Sequence, residues 1–376
     1  MLILFNYVLG ALYWTACDVI PNNLPTDIIA FTTDRDLTYE PFNNDFGPLD
    51  IGALTRYCRA VKQKFNSMSK TGMKLVHFSS TNPNRRANAA CLALSYLVVV
   101  EKQSAESAWK KASGLKPAFR LFVDASNFTH SFGMSILDVL VGLEKAVSLG
   151  WYDYTTFDVD LFDHCKRVEN GDLTWVVPRK FIAFAGPLDG GIDEDGVPAC
   201  PPSVYVPHFK SGNVSTIIRL NQKQYDETQF TSEGFRHVDL IFTDGSCPPD
   251  GVRDSFLELA HTEPALAVHC KAGLGRTGTL IAIHCMLKHG FTARGFMGWI
   301  RTCRPGSILG IQQQYLCELE KLICPSPHTI GSHGLPHRHS LPAITGEDIG
   351  QGNRLNKAKA TRKYSSVSTS AGSMII

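Results

Sequence analysis

Residues Val268-His269-Cys270-Lys271-Ala272-Gly273-Leu274-Gly275-Arg276-Thr277-Gly278 join an apolar run to an apolar helical pattern. Ala265 to Val268 has the length and composition of a buried β-strand, and Thr279 to Leu287 repeats with a helical period. A strand that feeds a helix through a short glycine-bearing loop commits this part of the chain to an α/β architecture. Such a loop turns consecutive backbone N–H groups inward, and the helix N-terminus adds its positive end. The product is a cradle for a dianion the size of phosphate.

The same field favours the thiolate of a cysteine held beside it, moving its pKa toward roughly 3.5 to 7.5. Arg276, six positions after Cys270, can fork two phosphate oxygens at once. Thr277 offers a hydroxyl that can hydrogen-bond the sulfur and ease its departure. Together these parts suit attack of sulfur on phosphorus and a cysteinyl-phosphate intermediate. Three plainer readings compete. Gly273-x-Gly275-x-x-Gly278 also fits the dinucleotide fingerprint, but that fold wants an acid about 20 residues further on. No Asp or Glu occurs between Glu263 and Glu318. A nucleotide P-loop needs Gly-Lys-Ser/Thr, which is absent. A merely structural buried cysteine has no use for the glycines and the arginine.

His269-Cys270-x-x-Gly273-x-x-Arg276-Thr277 resembles the signature of the protein tyrosine phosphatase superfamily. With Lys271, Ala272, Leu274 and Gly275 added, it is similar to the cell-division-cycle-fourteen (mitotic-exit) dual-specificity phosphatases. Phosphoinositide phosphatases of the tumour-suppressor type share nearly the same loop, with a lysine where this chain has Leu274. A second lysine helps hold a polyphosphorylated inositol headgroup, and leucine does not. Tyr39-Glu40-Pro41-Phe42 and Asp45-Phe46-Gly47-Pro48-Leu49 also resemble a segment particular to the mitotic-exit family. The resemblance implies two tandem phosphatase-like α/β domains, each a mostly parallel sheet flanked by helices, joined by a linker helix. The expected boundaries are 1–152 for an inactive domain, 153–175 for an acidic linker helix, 176–324 for the catalytic domain and 325–376 for a tail.

In the first domain Leu12 to Ala16 reads as the opening strand, with an irregular extension before about position 10. Lys74 to Phe78 is a strand, and Ala87 to Val100 an apolar helix. Between them, Val76-His77-Phe78 through Arg85-Arg86 is a faded copy of the Val268–Arg276 unit. Phe78 stands in the place of the cysteine, and Pro83 lacks a donor N–H. No nucleophile remains there. Ile136, Leu140, Leu143 and Val147 fall on one face of a helix ending at Gly150. In the linker, Phe157, Leu161, Cys165 and Val168 share a helical face, with acids around the rest. In the second domain Lys180 to Ala185, Thr216 to Leu220 and His237 to Phe242 are expected strands, and Phe291 to Arg301 a helix.

An alkoxide leaves poorly, so a general acid is required. Asp244, on a Gly/Pro-flanked loop 26 positions before Cys270, matches the family's acid, with Asp239 and Asp250 as alternatives. Lys271, Ala272, Gly273, Leu274 and Gly275 line the cradle. Gln312 and Gln313 match paired glutamines, one of which orients the hydrolytic water in related enzymes. The resemblance further implies that linker acids hold a basic residue downstream of the phosphorylated one. Asp163, Glu169 and Asp172 are the candidates, but Lys166 stands where the family has an acid. A weaker preference for a basic residue near position +3 is the expectation, unless Glu169 compensates.

The implied activity is hydrolysis of phosphoserine and phosphothreonine, at the serine-proline sites that cyclin-dependent kinases make, and of phosphotyrosine. Phosphoproteins would be the partners, with no metal and no organic cofactor. A phosphoinositide phosphatase and a non-catalytic phosphopeptide-binding scaffold are the alternatives; the intact Cys270, Arg276 and Asp244 speak against the scaffold. The net charge of +2 does not call for a nucleic acid. The 11 cysteines, an odd number without CxxC pairs, suggest neither a disulfide framework nor a zinc site and point to a reducing compartment. Cytoplasm or nucleus, with spindle or cytoskeletal association, is what the resemblance implies. The apolar start, Met1 to Trp14, is too short to span a membrane. From Pro325 onward Gly, Ser, Pro and His dominate, so a disordered tail is expected. It carries His328, His333, His337 and His339, and a basic cluster, Arg354 to Lys363, that reads as a docking or nuclear-import signal.

Overall fold

The computed structural model describes residues 5–8, 11–68, 71–127, 132–193, 196–323 and 350–362. The first sheet contains β1 (Phe5–Val8), β2 (Leu12–Ala16), β3 (Ile28–Thr32) and, after helix α1 (Ile51–Met68), β4 (Lys74–Ser79). Its order is β1-β2-β4-β3, parallel except for β1, which pairs antiparallel with β2. The opening of the chain thus adds a strand over residues expected to be irregular. Three helices follow: α2 (Pro83–Val99), α3 (Ala105–Lys110) and α4 (Ile136–Ser148). Pro83 at the first turn and Asn82, whose side chain accepts from the Asn84 and Arg85 amides, start α2 four residues earlier than its apolar run does. A Ser135–Asp138 capping box starts α4.

The linker is not one long helix. It consists of α5 (Val159–Cys165), capped by Asp158, then a 3-10 turn at Val168–Asn170 and left-handed Gly171. Leu161, expected on the packed face, is 54% exposed. The second sheet starts at β5 (Leu173–Val177) and continues with β6 (Phe181–Phe184). Next come α6 (Pro202–Ser211), β7 (Thr216–Arg219), α7 (Thr228–Thr231), β8 (Arg236–Asp239) and α8 (Asp250–Thr262). Then follow β9 (Leu266–His269), α9 (Gly275–His289), α10 (Ala293–Cys303) and α11 (Ile311–Ile323). The order is β5-β6-β9-β7-β8, with only the β5–β6 pair antiparallel. Strand β9 lies in the middle with all four residues buried, which is why it reads as an unbroken apolar run.

The two sheets share one core. Leu54, Leu94 and Leu140 of the first half belong to the same apolar cluster as Ile281 and Trp299 of the second. Helices α4 and α10 meet backbone to backbone: a Cβ on Gly142 would lie 2.1 Å from the Gly295 carbonyl oxygen, and one on Gly298 2.6 Å from that of Asp138. Arg294 adds an ion pair to Asp138 at 2.8 Å and donates to the Gly133 carbonyl. This close seam fixes where the first domain touches the loops around Cys270.

The expected disordered tail contains a helix, α12 (Gln351–Thr361), laid against the second domain. Its buried Leu355 and Lys359 are one turn apart, and that amphipathic spacing was hidden in a stretch read for charge alone. The four tail histidines lie outside the described residues. Among the described residues no helix is long and apolar enough to cross a membrane.

Candidate active site

Cys270 directly follows the central strand and is 3% exposed. His269 beside it is fully buried; its Nδ1 lies 3.0 Å from the Cys270 carbonyl oxygen and its Nε2 2.8 Å from the Tyr225 hydroxyl. Burial pushes the His269 imidazole down to about 3, so it is a neutral strut for the loop. Gly273 has φ +66, and a Cβ there would come within 1.9 Å of the Phe184 carbonyl oxygen, so only glycine lets the loop pass. Arg304, 3% exposed, takes the outward-facing carbonyls: Nε donates to Gly273 at 2.8 Å and Nη2 to Ala272 at 3.2 Å. With the Gly186 amide on the Lys271 carbonyl at 3.0 Å, three successive carbonyls are held from outside.

Arg276 sits in the first turn of α9, 4% exposed. Its Nη1 donates to the carbonyls of Leu220 and Phe242 at 3.1 and 2.8 Å, and Nη2 lies 3.2 Å from Asp244 Oδ1. Its Nε is buried with no protein partner among the described residues. An unmet guanidinium N–H in so closed a place invites an oxyanion. Burial pushes the Cys270 thiol up, but the Arg276 guanidinium and the hydroxyl and amide of Thr277 more than offset it, against repulsion from Asp244. The thiol therefore ends below its ordinary value. The Thr277 hydroxyl, fully buried, has no nitrogen or oxygen partner among the described residues.

Asp244 faces the cradle, as expected. The alternatives are used elsewhere: Arg219 forks Asp239 at 2.8 and 2.7 Å, and Asp250 pairs with Arg253 at 2.9 Å. Gln312 and Gln313 are both buried, and each amide has partners. Gln312 Nε2 donates to the Ser246 carbonyl at 3.0 Å and its Oε1 accepts from the Leu309 amide at 3.3 Å. Gln313 lies between Arg301 and Asp124, each at 2.8 Å. The turn before them is strained, because buried, β-branched Ile308 has φ +60, a conformation that costs about 1–3 kcal/mol.

The three linker acids are held by different cations. Asp172, 5% exposed, lies beside the cradle between Arg304 at 2.8 Å and Lys359. Asp163 pairs with Arg56 and with Lys166 at 2.8 Å, and Lys166 also takes Asp50 at 2.9 Å. Glu169 is exposed and its closest cation is Arg167 at 3.9 Å. Lys166 thus binds inward into a charge-balanced network and does not project as a lone positive charge.

Helix α12, unforeseen in the sequence, lies across this site. The Gly352 amide donates to Asp244 Oδ2 at 2.6 Å, and Lys359 donates to Asp172 and to the Ala272 carbonyl. Leu355 joins an apolar cluster of Phe42, Ala125, Ala272, Leu274 and Leu309. Burial pushes the Lys359 ammonium down to about 8, against the pull of Asp172. A leucine three and four residues from Gly352 and Lys359 was the readable signal.

A family model described as "Dual specificity protein phosphatase, N-terminal half" matches residues 6–146. Another, "Polymorphic toxin system, DSP-PTPase phosphatase", matches 206–291. The chain is 46% identical over 290 residues to the mouse dual specificity protein phosphatase CDC14A, covering 77% of this chain and 48% of that one. The human CDC14A match is also 46% identical, covering 49% of that protein, and the Caenorhabditis elegans tyrosine-protein phosphatase cdc-14 is 42% identical, with 78% of this chain and 43% of that one covered. The chain therefore spans about half the length of these relatives. Among solved structures, PTPMT1 in complex with PI(5)P is 18% identical with a TM-score of 0.32, covering 39% of this chain and 92% of that one. With the cysteine–arginine loop at the centre of its second sheet and 40–46% identity to several CDC14 proteins, the chain belongs to the CDC14 family of dual-specificity phosphatases.

Proposed function

We propose that this chain is a cysteine-dependent protein phosphatase acting on phosphoserine, phosphothreonine and phosphotyrosine. The observation that carries the reading is the buried, unmet Arg276 Nε beside a Cys270 whose thiol is shifted toward thiolate. In the first step the Cys270 thiolate attacks phosphorus. The S–P bond forms as the P–O ester bond breaks, and Asp244 gives its proton to the departing oxygen. The loop amides and Arg276 hold the equatorial oxygens, where charge is best met by fixed donors. In the second step Asp244, now a carboxylate, takes a proton from water as its oxygen attacks phosphorus. The S–P electrons return to sulfur, and the Thr277 hydroxyl steadies the thiolate. No metal or organic cofactor enters this scheme.

Serine followed by proline, the mark of cyclin-dependent kinases, is the sequence context we assign. The apolar cluster of Phe42, Ala125, Ala272, Leu274 and Leu309 offers a rigid prolyl ring a dry seat that Leu355 fills in its absence. Asp172 beside it supports a basic residue further along, because Lys359 already meets it with an ammonium. With Asp163 balanced by Arg56 and Lys166, the preference for that residue rests on Asp172 and the exposed Glu169 and is correspondingly weak. Phosphoproteins are the proposed partners and a reducing, intracellular compartment the proposed location; none of the ten described cysteines is in a disulfide.

The test is kcat/KM on phosphoserine-proline peptides with Lys, Ala or Glu at +3, beside a phosphotyrosine peptide and a phosphoinositide. Turnover of the peptides with a modest Lys advantage supports the reading. Phosphoinositide turnover that rivals the peptides overturns it in favour of a lipid phosphatase, and absence of all turnover overturns it in favour of a scaffold.

A further inference from the structure

A carboxylate of the domain without a nucleophile reaches into the loops around Cys270. Asp124, 4% exposed, follows α3 in the first domain. Its Oδ2 accepts from the Gly310 amide at 2.5 Å and from Gln313 Nε2 at 2.8 Å, while Oδ1 accepts the Ser126 hydroxyl at 2.8 Å. The Gln313 carbonyl in turn accepts from Arg301, a guanidinium 2% exposed. Arg301 also holds the carbonyls of Ser307 and Ile308 at 2.9 and 2.7 Å. This pair, Asp124 from one domain and Arg301 from the other, grips the turn at both ends of its strained residue, Ile308.

What that turn touches is the reason to care about its grip. Its Leu309 amide fixes the Gln312 side chain, and the Gln312 amide nitrogen reaches across to the Ser246 carbonyl, two residues after Asp244. Gln312 also lies flat on the cradle, where a Cβ on Gly275 would meet its Oε1 at 2.9 Å. The cradle itself has other anchors in Arg304 and Gly186. The turn also rests on the cradle, its Ile308 amide donating to the Leu274 carbonyl at 3.4 Å, and it reaches the acid loop through Gln312. A buried network that is fully bonded fixes one geometry, and an acid displaced by even an ångström loses much of its effect.

Resting on the phosphatase reading above, we propose that Asp124 is a positioning residue for the general acid, acting from the first domain through Gln313, the Ile308–Gly310 turn and Gln312. The domain without a nucleophile is then part of the catalytic apparatus. The signature of such a role is its dependence on the leaving group, since a phosphoserine alkoxide needs the proton and a nitrophenolate hardly does.

The experiment measures kcat/KM of the full chain and its Asp124→Asn, Gln312→Met and combined variants on a phosphoserine peptide and on 4-nitrophenyl phosphate. Asp124→Asn is expected to lose about 10- to 100-fold on the peptide and less than about threefold on the aryl ester. The combined variant is expected to lose no more than Gln312→Met alone, because both act along one path. Equal losses on both substrates, or losses that multiply in the combined variant, overturn the proposal. Should Asp124→Asn not fold, Gln313→Met, which removes its bonds to Asp124 and Arg301 but leaves the Gly310 amide on Asp124, is read against the same criteria. A wild-type chain inactive on both substrates overturns the phosphatase reading itself, a result distinct from any of these.

Discussion

The chain folds the same strand–loop–helix unit twice, once around His77 and once around His269. In each, a buried histidine lies at or near the end of a buried strand, and burial holds its imidazole down to about 3. Each ring is pinned by neighbouring hydroxyls: His77 by Thr33 at 3.0 Å and Tyr57 at 3.2 Å, His269 by Tyr225 at 2.8 Å. Beyond the histidine the two part company. Phe78 fills the nucleophile's place with an apolar ring, 1% exposed. The amides of the following loop are met by the protein's own acids, Ser80 donating to Asp34 at 2.6 Å and Thr81 to Asp18 at 2.9 Å. Asn82 caps the next two. Although a cavity of about 550 Å³, with Asn82, Asn84, Arg85 and Arg120 in its wall, opens beside this loop, the loop amides of Ser80, Thr81, Asn84 and Arg85 are already occupied. Around Cys270 it is the carbonyls that are taken, by Arg304 and Lys359. On the proposed reading, what separates the catalytic loop from the inactive one is which half of its peptide groups has been bonded from outside.

The largest effect tests that statement directly. Cys270→Ser should lose about 10⁴- to 10⁶-fold in kcat while still binding phosphopeptide. Adding Phe78→Cys to that variant should restore nothing, since a sulfur at 78 would face amides that Asp18 and Asp34 already hold. Phosphate release above the single variant's background would break the comparison. Next comes Arg276→Lys, expected to cost about 10³-fold in kcat/KM, because a point charge replaces a fork. The guanidinium lowers the Cys270 thiol and thiolate is the reactive form. The acidic limb of the pH profile should therefore move to higher pH in the variant, and an unmoved limb would mean that the loop alone tunes the sulfur. A third contrast needs no substrate. Gly72, before β4, has φ +69 with nothing within 4 Å of a Cβ, whereas Gly273 has φ +66 and a carbonyl at 1.9 Å. Alanine should cost about 1–2 kcal/mol at Gly72, from conformation alone, and about 3–5 kcal/mol at Gly273, read from urea midpoints. Equal costs would mean that the loop yields more easily than its bonding suggests.

How legible all this was in the sequence depended on whether a signal was local. Cys270 and Arg276 stood out because strand, glycines and helix lie within a few residues of one another, whereas Asp244, 26 positions earlier, was picked out by its Gly/Pro-flanked loop and by the resemblance. The first unit's lack of a nucleophile was half legible: Phe78 could be read, but the acids at 18 and 34 lie 46 or more residues from the amides they meet. Lys166 was read as a misplaced charge because Asp50, the partner that draws it inward beside its neighbour Asp163, comes from the other domain. Asp124 and Arg304 carried no signal, since a lone acid in a loop and an arginine after a helix look like solvated surface. In α12 the basic residues Arg354, Lys357 and Lys359 drew attention away from Leu355, which with Ala358 makes its apolar face. The pattern is general: chemistry carried by neighbours in sequence is visible, and chemistry assembled by packing is not.

The smallest effect sharpens the comparison most. The first loop is closed by fixed side chains of its own domain, but the second is covered by α12, whose hold on the site includes the Gly352 amide on Asp244, Leu355 in the apolar cluster and Lys359 on Asp172. A substrate that uses Asp244, the apolar seat and Asp172 must displace all three, so its observed affinity is reduced by the fraction of molecules in which α12 is seated. Deleting residues 350–376 in the Cys270→Ser background should therefore tighten a phosphoserine-proline peptide about 2- to 5-fold, measured by fluorescence anisotropy. Lys359→Gln, which leaves Leu355 in place, should recover part of that gain, and more of it for a peptide with Lys at +3 than for one with Ala. If both variants bind as the parent does, α12 lies beside the substrate's path and not on it, and the second cradle is as open as its sequence suggests.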